Sequence, residues 1–449
     1  MEQFTDGMDE TPAQPDPASR ARNNGRPSRM RRARHGRAVA CLLAAVVALA
    51  AGPAGCTSAS EEAGRAAASA YARGDYADAR RLVAPLAKKT DENFVLNNVR
   101  LGSAALAEQD WDAAETAFLA AYEVLNSVGT NDGGRTLGAV LVDERLRIWR
   151  GEPYERAMAN FYLGLSYYAR HDYDNARAAF ENSLFKLRDY VDADKAGGSD
   201  AYRDVESNFA LGYLMLGRSW QRLGQDDKAR QNFERVAQLR PYLAGVADPG
   251  RNARANVLLV VDFGYGPRKL TDFDGAIVGL GPTPAEVGPV PPPSVLIDGR
   301  PADVGAVDRP PVDLLALAQD RRWQSIDTFR TIKSALGTGL IGVGAYEGLR
   351  SRNRNNQAAG LAMVGAGLLL KATSQADTRH WEMLPRTTFV LPLELPPGTH
   401  DVTVEFPVRG LTQTWRGIIA PDKGEATYYM RMQRGSMVVR ERRTYVPAY

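Results

Sequence analysis

Few residues in this 449-residue chain have the type and spacing to do chemistry. The four histidines, His35, His171, His380 and His400, stand apart, and none pairs with another or with a cysteine at metal-ligand spacing. Neither a G-x-S-x-G nucleophile elbow nor a phosphate loop occurs. The one conspicuous polar cluster is Asp377-Thr378-Arg379-His380-Trp381. His380 beside Asp377 has the residue types of a general base and its orienting carboxylate. An Asp–Arg pair and a packed tryptophan at a helix-to-strand junction account for the same residues without catalysis. Gly337, Gly339 and Gly342 spell G-x-G-x-x-G, but a dinucleotide fingerprint needs a strand before it and an acid about 20 residues later. An amphipathic stretch precedes it instead, and small residues continue through Gly344 and Gly348. The sequence therefore assigns no catalytic residue, no cofactor and no metal site.

The thiol of Cys56 carries the most consequential chemistry. Arg31, Arg32, Arg34 and Arg37 form a positive segment, followed by the apolar run AVACLLAAVVALAA (38–51) and the small residues GPAGC. This is the pattern of a secretory signal peptide, too short for a membrane span. An acidic, proline-containing stretch precedes it, and Met30 makes a more ordinary start. The end of the segment resembles a bacterial lipobox, in which a cysteine after small residues is diacylated and becomes the mature N-terminus. Ala54-Gly55-Cys56 matches, whereas Pro53 replaces the usual aliphatic residue. The chain has two cysteines, and Cys41 lies inside the apolar run, so the mature protein keeps one thiol and forms no internal disulfide. Cleavage after Ala48-Leu49-Ala50, leaving a free thiol, is the alternative. Thr57 after the cysteine resembles an outer-membrane rather than inner-membrane signal, and residues 57–62 read as a polar tether. The net charge of +3 resides wholly in residues 1–37, which hold eight arginines against five acids. No basic field remains to attract nucleic acid.

The positioning elements begin with a repeat. Tyr213, Leu216-Gly217, Trp220, Gly224, Ala229, Phe233, Val236 and Pro241 have the spacing of a tetratricopeptide (TPR) repeat. Gly217 and Ala229 belong where two antiparallel helices touch, Gly224 ends the first helix, and Pro241 closes the second. Leu163-Gly164, Tyr167, Ala176 and Phe180 repeat the pattern, as do Leu101-Gly102, Ala114 and Phe118. A degenerate copy holds Gly74, Ala79 and Val83. Longer gaps imply insertions around residues 129–149 and 189–203. The stripe Tyr76, Trp111 and Tyr173 reads as packing between helices. Repeats of this kind build a solenoid with an extended concave surface, so a protein partner is expected there. Asn97, Asn98, Asn160 and Asn208 fall near the exposed turn of each first helix, where amides could grip a partner's backbone. Glu152, Tyr154, Glu155 and Arg156 read as helix-capping charges.

Past Pro241 the period changes to strands. Asn256–Phe263, Gly275–Gly279, Ser294–Asp298, Thr387–Leu395, His400–Phe406, Thr412–Ile419, Ala426–Met432 and Met437–Arg442 fit β structure, the last two as a hairpin across residues 433–436. Residues 288–294, GPVPPPS, read as a stiff polyproline connector. Between the strand groups, 311–334 is amphipathic, and 335–349 and 357–372 are Gly/Ala-rich. These predict a helical hairpin in which Gly344 and Gly348 face Gly360 and Gly367, packed on the β-domain or associating with a membrane or a second copy. Each arm is shorter than the roughly 20 apolar residues of a span.

The segments RGEPYERAMANFYLGLSYYARHDYDNAR, VVDFGYGPRKL and ADTRHWEMLP with LPLELPPGTHDVTV occur in an order similar to a family of bacterial lipoproteins. That family joins an N-terminal TPR region to a C-terminal β-domain, and the resemblance covers most of the chain after about residue 150. It implies an envelope location and no assigned enzyme activity, and some members resemble neighbours of lipoproteins that assist cell-wall synthesis. Pro267-Arg268-Lys269 matches the family's proline-plus-lysine turn with an extra arginine. The expected fold class is α+β, with a signal segment at 1–56, a tether at 57–62, an all-α TPR solenoid at 63–245 and a β-rich domain at 253–449 carrying a helical insert at about 311–375. The expected function is a non-catalytic, lipid-anchored envelope scaffold facing the periplasm from the outer membrane, or a secreted one. A cell-wall or polysaccharide enzyme marked by His380 or Asp377, and an assembly protein acting through the hairpin, are the alternatives.

Overall fold

The structure, a computed structural model, describes residues 59–126, 148–187, 189–190, 204–205, 207–272, 277–283, 288–305, 309–320, 377–407, 410–433 and 440–441. Cys56 and Gly344, Gly348, Gly360 and Gly367 lie outside the described residues. Four helix pairs come first: α1 (Ala59–Ala72) with α2 (Tyr76–Ala87), α3 (Phe94–Glu108) with α4 (Trp111–Asn126), α5 (Pro153–Ala169) with α6 (Tyr173–Phe185), and α7 (Ala210–Arg222) with α8 (Asp226–Leu239). Aspartates start several second helices by accepting free backbone N–H groups: Asp75 from Asp78, Asp110 from Ala113 and Asp172 from Asn175.

One steric rule holds each pair together. A Cβ placed on Gly102 would lie 2.6 Å from the Phe118 ring, on Gly164 2.7 Å from Phe180, and on Gly217 2.8 Å from Phe233. In each case the glycine precedes its phenylalanine by 16 residues and seats the ring of the opposite helix. The first pair has fully buried Ala67 and Val83 at the same offset, a larger residue facing a smaller one. The repeats also share a left-handed residue seven positions after this small one. Gly74 (φ 81°) and Gly224 (φ 70°) satisfy it cheaply, but Gln109 (φ 60°) and His171 (φ 63°) do so against steric preference. The reason at Gln109 appears only in the tertiary contacts.

After a short 3₁₀ turn (Pro241–Leu243) and α9 (Pro249–Arg254), the chain turns to strands. These are β3 (Val257–Phe263), β4 (Arg268–Asp272), β5 (Ile277–Gly281), β6 (Ser294–Ile297), β7 (Arg300–Pro301), β8 (Thr387–Leu393), β9 (Gly398–Phe406), β10 (Leu411–Ala420), β11 (Ala426–Met432) and β12 (Arg440–Glu441). A two-residue pair, β1 (Asp189–Tyr190) and β2 (Asp204–Val205), lies earlier, between α6 and α7. A five-stranded sheet has the order β12-β10-β9-β6-β7 and a three-stranded sheet the order β11-β3-β8. Their inner faces pack through Phe263, Phe389 and Phe406, the first and last with ring centroids 4.2 Å apart. Among the described residues the last two strands do not pair with each other as the expected hairpin would. β11 runs parallel to β3, and β12 runs parallel to β10 in the other sheet. The strand β4 lies in a stretch to which the sequence assigned no strand.

Every residue of β3 and β8 is buried. A strand with that pattern must be covered on both faces. Side chains alternate along β3, so Val261 and Phe263 point into the sandwich while Val260 and Asp262 point the other way. What covers that second face is the row of first helices: β11 packs against α3 and α5, and α10 (Leu314–Gln319) packs against α5 and β5. Repeats and sheets therefore share one hydrophobic core. The overall class is α+β, a TPR-type solenoid followed by a β-rich region.

Candidate functional site

The inner face of the solenoid, where a partner was expected, is occupied by the chain's own sheet. In register across three strands stand Thr388, Asp262 and Arg431. Asp262 is fully buried and accepts three hydroxyl hydrogen bonds, from Tyr162 of α5 (2.5 Å), Tyr429 of β11 (2.5 Å) and Thr388 (2.5 Å). Burial pushes its carboxyl up, while the Arg431 guanidinium and the three hydroxyls pull it back. Arg431 is itself buried and donates to the Gly264 carbonyl (2.6 Å), with its guanidinium 5.7 Å from the centre of the Tyr71 ring. Both charges are thus hydrogen-bonded, the condition under which a buried charge is tolerated.

The outer edge of β11 is capped by the repeats. Gln109 Nε2 donates to the Tyr429 carbonyl at 2.7 Å, and the Tyr76 hydroxyl reaches the Arg431 carbonyl at 3.4 Å. Gln109 is the left-handed residue that replaces a helix-ending glycine. A glycine there would relieve the backbone and leave a buried strand carbonyl without this donor. At the far end of the solenoid, Arg218 and Arg222 of α7 both pair with Glu425, and Arg218 also bonds Asn252 of α9. Arg218 and Glu425 each have a side-chain exposure of 1%.

Residues 377–386 form a strap lying along the same face. The Trp381 indole is buried against Phe118 and Tyr162, its Nε1 donates to Ser103 Oγ (3.1 Å), and its backbone N–H donates to Glu155 Oε1 (2.6 Å). Glu382 pairs with Arg100 of α3 through two bonds, at 2.6 and 3.1 Å. Arg379 donates to the Glu92 carbonyl and Asn93, and Trp149 Nε1 donates to the Arg379 carbonyl. Lys269 of β4, with a side-chain exposure of 4%, pairs with Glu152 at 2.8 Å and donates to the Asp377 carbonyl at 2.8 Å. Burial pulls the Lys269 amine down, but Glu152 and Glu155 more than offset it and the pKa is raised. The three segments quoted for the lipoprotein resemblance, around residues 150–156, 267–270 and 377–384, therefore meet at one place.

That place is built to brace. Glu155 is held in a reciprocal capping box, its Oε2 accepting the Glu152 N–H at 2.7 Å and the Glu152 side chain accepting in return. Complete burial raises its pKa to about 7. Each of its oxygens accepts a backbone N–H, one from its own helix start and one from the strap, so the carboxyl ties these two segments together. Asp377 does not orient His380. Burial alone pushes the Asp377 carboxyl up, yet the two-pronged pair with Arg379 (2.7 and 2.9 Å) holds it below the usual range. His380 Nδ1 lies 3.3 Å from the Thr378 carbonyl, and burial lowers its pKa. Among the described residues, no group of three or more His, Cys, Asp or Glu is placed to hold a metal, and no helix is long and apolar enough to cross a membrane.

The asparagines are placed otherwise than on exposed turns. Asn97 and Asn160 are 1% exposed and Asn98 5%. Asn98 donates to the Ala87 and Phe94 carbonyls, Asn160 to the Arg156 carbonyl, and Asn97 accepts from Arg100. Asn97 lies beside Arg100, which bonds the strap, whereas Asn98 and Asn160 stand four residues before Gly102 and Gly164, on the side of each first helix that meets its neighbouring helices. Asn208 is half-buried and lines a cleft of about 210 Å³ with Arg240, Tyr242 and Leu317. The residues that sequence reasoning missed, Gln109, Asp262, Glu425 and Arg431, are polar side chains inside or beside regular elements. The only hint was an aspartate inside the apolar run NVLLVVDF.

Two segments, residues 158–184 and 212–241, match the tetratricopeptide repeat family model. They correspond to most of the α5/α6 and α7/α8 pairs, so the chain carries TPR repeats. Among solved structures, "Crystal structure of MamA" is 17% identical, with 44% of this chain and 87% of that chain covered and a TM-score of 0.27. "Crystal structure of MamA protein" is 19% identical, with 41% and 75% covered and a TM-score of 0.27. No curated protein sequence matches the chain.

Proposed function

We propose that this protein is a non-catalytic scaffold of the bacterial cell envelope, exported behind residues 1–55 and anchored by a diacylated Cys56. TPR repeats supply helical surfaces for protein partners. The observation that carries the reading is the closed inner face: Asp262, Arg431 and Trp381 bind the sheet and strap into the solenoid. A partner therefore meets the outer helices α2, α4, α6 and α8. The apolar run at 38–51, the small residues before Cys56 and the lack of a second mature cysteine support the anchor.

Two measurements test the two halves. Metabolic labelling with a clickable fatty acid should mark the wild type and not Cys56→Ser; label on neither sinks the anchor. A photo-crosslinking residue at the exposed Arg230 should join another protein in membranes, whereas one at Tyr162, which faces the sheet, should crosslink only within the chain. The scaffold reading fails if the inner position captures the partner and the outer one does not.

A further inference from the structure

Outside the seam, a cleft of about 280 Å³ opens between α9, the β6–β7 hairpin and the end of β8. Its floor is apolar, from Ile297, Leu393 and Leu395, and three arginines, Arg251, Arg254 and Arg300, line it from two separate elements. Two acids line the cleft with them, and Asp298, at the β6–β7 turn, lies within electrostatic reach of Arg300. Asp303 engages Arg251 through both its side chain (2.6 Å) and its carbonyl (3.0 Å), and Glu394 takes only the Nε of Arg254 (3.0 Å). The terminal nitrogens of Arg254 and the whole guanidinium of exposed Arg300 have no acceptor among the described residues. The cleft thus keeps unused N–H donors from two separate elements over an apolar floor.

We propose that this cleft binds a phosphoryl group carried on a small or lipidic body. A carboxylate is planar and is satisfied by a single guanidinium fork, as Asp377 is by Arg379. Guanidinium groups that approach from separate elements suit a tetrahedral anion, whose oxygens accept from several directions. At this volume, below the range of most drug-sized ligand sites, the cleft fits a headgroup or a small ester and not a large cofactor. The apolar floor takes the carbon portion next to the phosphate. Nothing in the cleft is used by the seam, so this site is independent of the scaffold reading.

The test uses the full chain carrying Cys56→Ser, so that no acyl chain contributes to binding. Equilibrium dialysis with labelled glycerol phosphate is paired with flotation on phosphatidylglycerol or phosphatidylcholine vesicles. Wild-type cleft residues should bind glycerol phosphate in preference to acetate. The Arg254→Ala/Arg300→Ala double variant should lose about tenfold or more, the scale of removing a charged hydrogen bond. Both arginines are exposed, so the fold is retained, which thermal melting checks; Arg230→Ala on α8 is the charge control and should bind normally. Flotation with phosphatidylglycerol alone, competed by glycerol phosphate, identifies a lipid headgroup; solute binding without flotation identifies a soluble phosphate ester. Equal affinity for acetate, no binding to either probe, or an equal loss in Arg230→Ala overturns the site.

Discussion

Two helices of adjacent repeats, α5 and α8, show how this molecule departs from an open solenoid. Of the 17 residues of α5, 14 are buried; of the 14 in α8, only Ala229, Phe233 and Val236 are. The helix α8 has one apolar stripe, which it lays on α7, and its other sides meet water. The helix α5 is covered all round, by neighbouring helices on its flanks and by the sheet and strap on its inner side. First helices of a repeat array ordinarily keep an inner side for a ligand. Here that side became core, with Tyr162 bonded to the chain's own sheet and Glu155 to the strap.

The comparison is broken most directly at Trp381. Trp381→Ala should cost about 3–5 kcal/mol, since it opens a cavity against Phe118 and Tyr162 and frees the Ser103 hydroxyl. Arg230→Ala on α8 should stay within about 0.5 kcal/mol. Urea midpoints of the two variants decide it, and equal small shifts would mean that the inner face is not core.

The next effect is on pH dependence. The Glu155 carboxyl, with an ordinary value of 4.5, is raised to about 7 by burial. The folded state then holds this proton more tightly than the unfolded one. Its stabilising contribution is complete below about pH 4.5 and is lost as pH rises through about 7, by an amount on the order of 3 kcal/mol. Chemical denaturation across this window should show the fall, and Glu155→Gln should flatten it. No acid in α8 is expected to produce such a slope, because none is buried.

A smaller effect tests the rule common to both helices. Gly164→Ala forces a methyl to within 2.7 Å of the Phe180 ring and should cost about 1–3 kcal/mol. Gly217→Ala, between α7 and α8, should cost the same, so a difference in melting between them would show that the sheet stiffens one pair more than the other. Smallest is Gln109. Gln109→Ala keeps the left-handed strain and loses the bond to the Tyr429 carbonyl, at about 1 kcal/mol, while Gln109→Gly trades the same bond for relief of the backbone. Thermal melts should rank glycine above alanine, and the reverse order would mean that contacts of the β-carbon outweigh the backbone strain there.

The repeats were legible because their determinants are local. Gly164 and Phe180 are 16 residues apart, and such spacing reports helix-pair contact wherever it falls. The left-handed residues were legible at Gly74 and Gly224 and hidden at Gln109, whose side chain answers to a strand more than 300 residues away. The strands at 257–263, 387–393 and 426–432 were also visible from their apolar, β-branched and aromatic residues. Their pairing was not, because parallel and antiparallel neighbours leave the same pattern in one dimension. The burial of Asn97, Asn98 and Asn160 was invisible for a related reason: an asparagine on a helix looks the same whether water or packed protein lies opposite it.

By itself, then, the sequence determined the TPR helix pairs, the change from helix to strand after Pro241, and the absence of metal-ligand spacing among its four histidines. Each depends on residues close enough along the chain for steric and periodic rules to act. Only the tertiary structure decided that the solenoid's inner face is filled, that Asp262 and Arg431 stand in one row beneath Tyr162, and that Glu152, Lys269 and Asp377 meet. Those outcomes turn on which apolar surface covers which, and on burying charges only where donors and acceptors from distant segments converge.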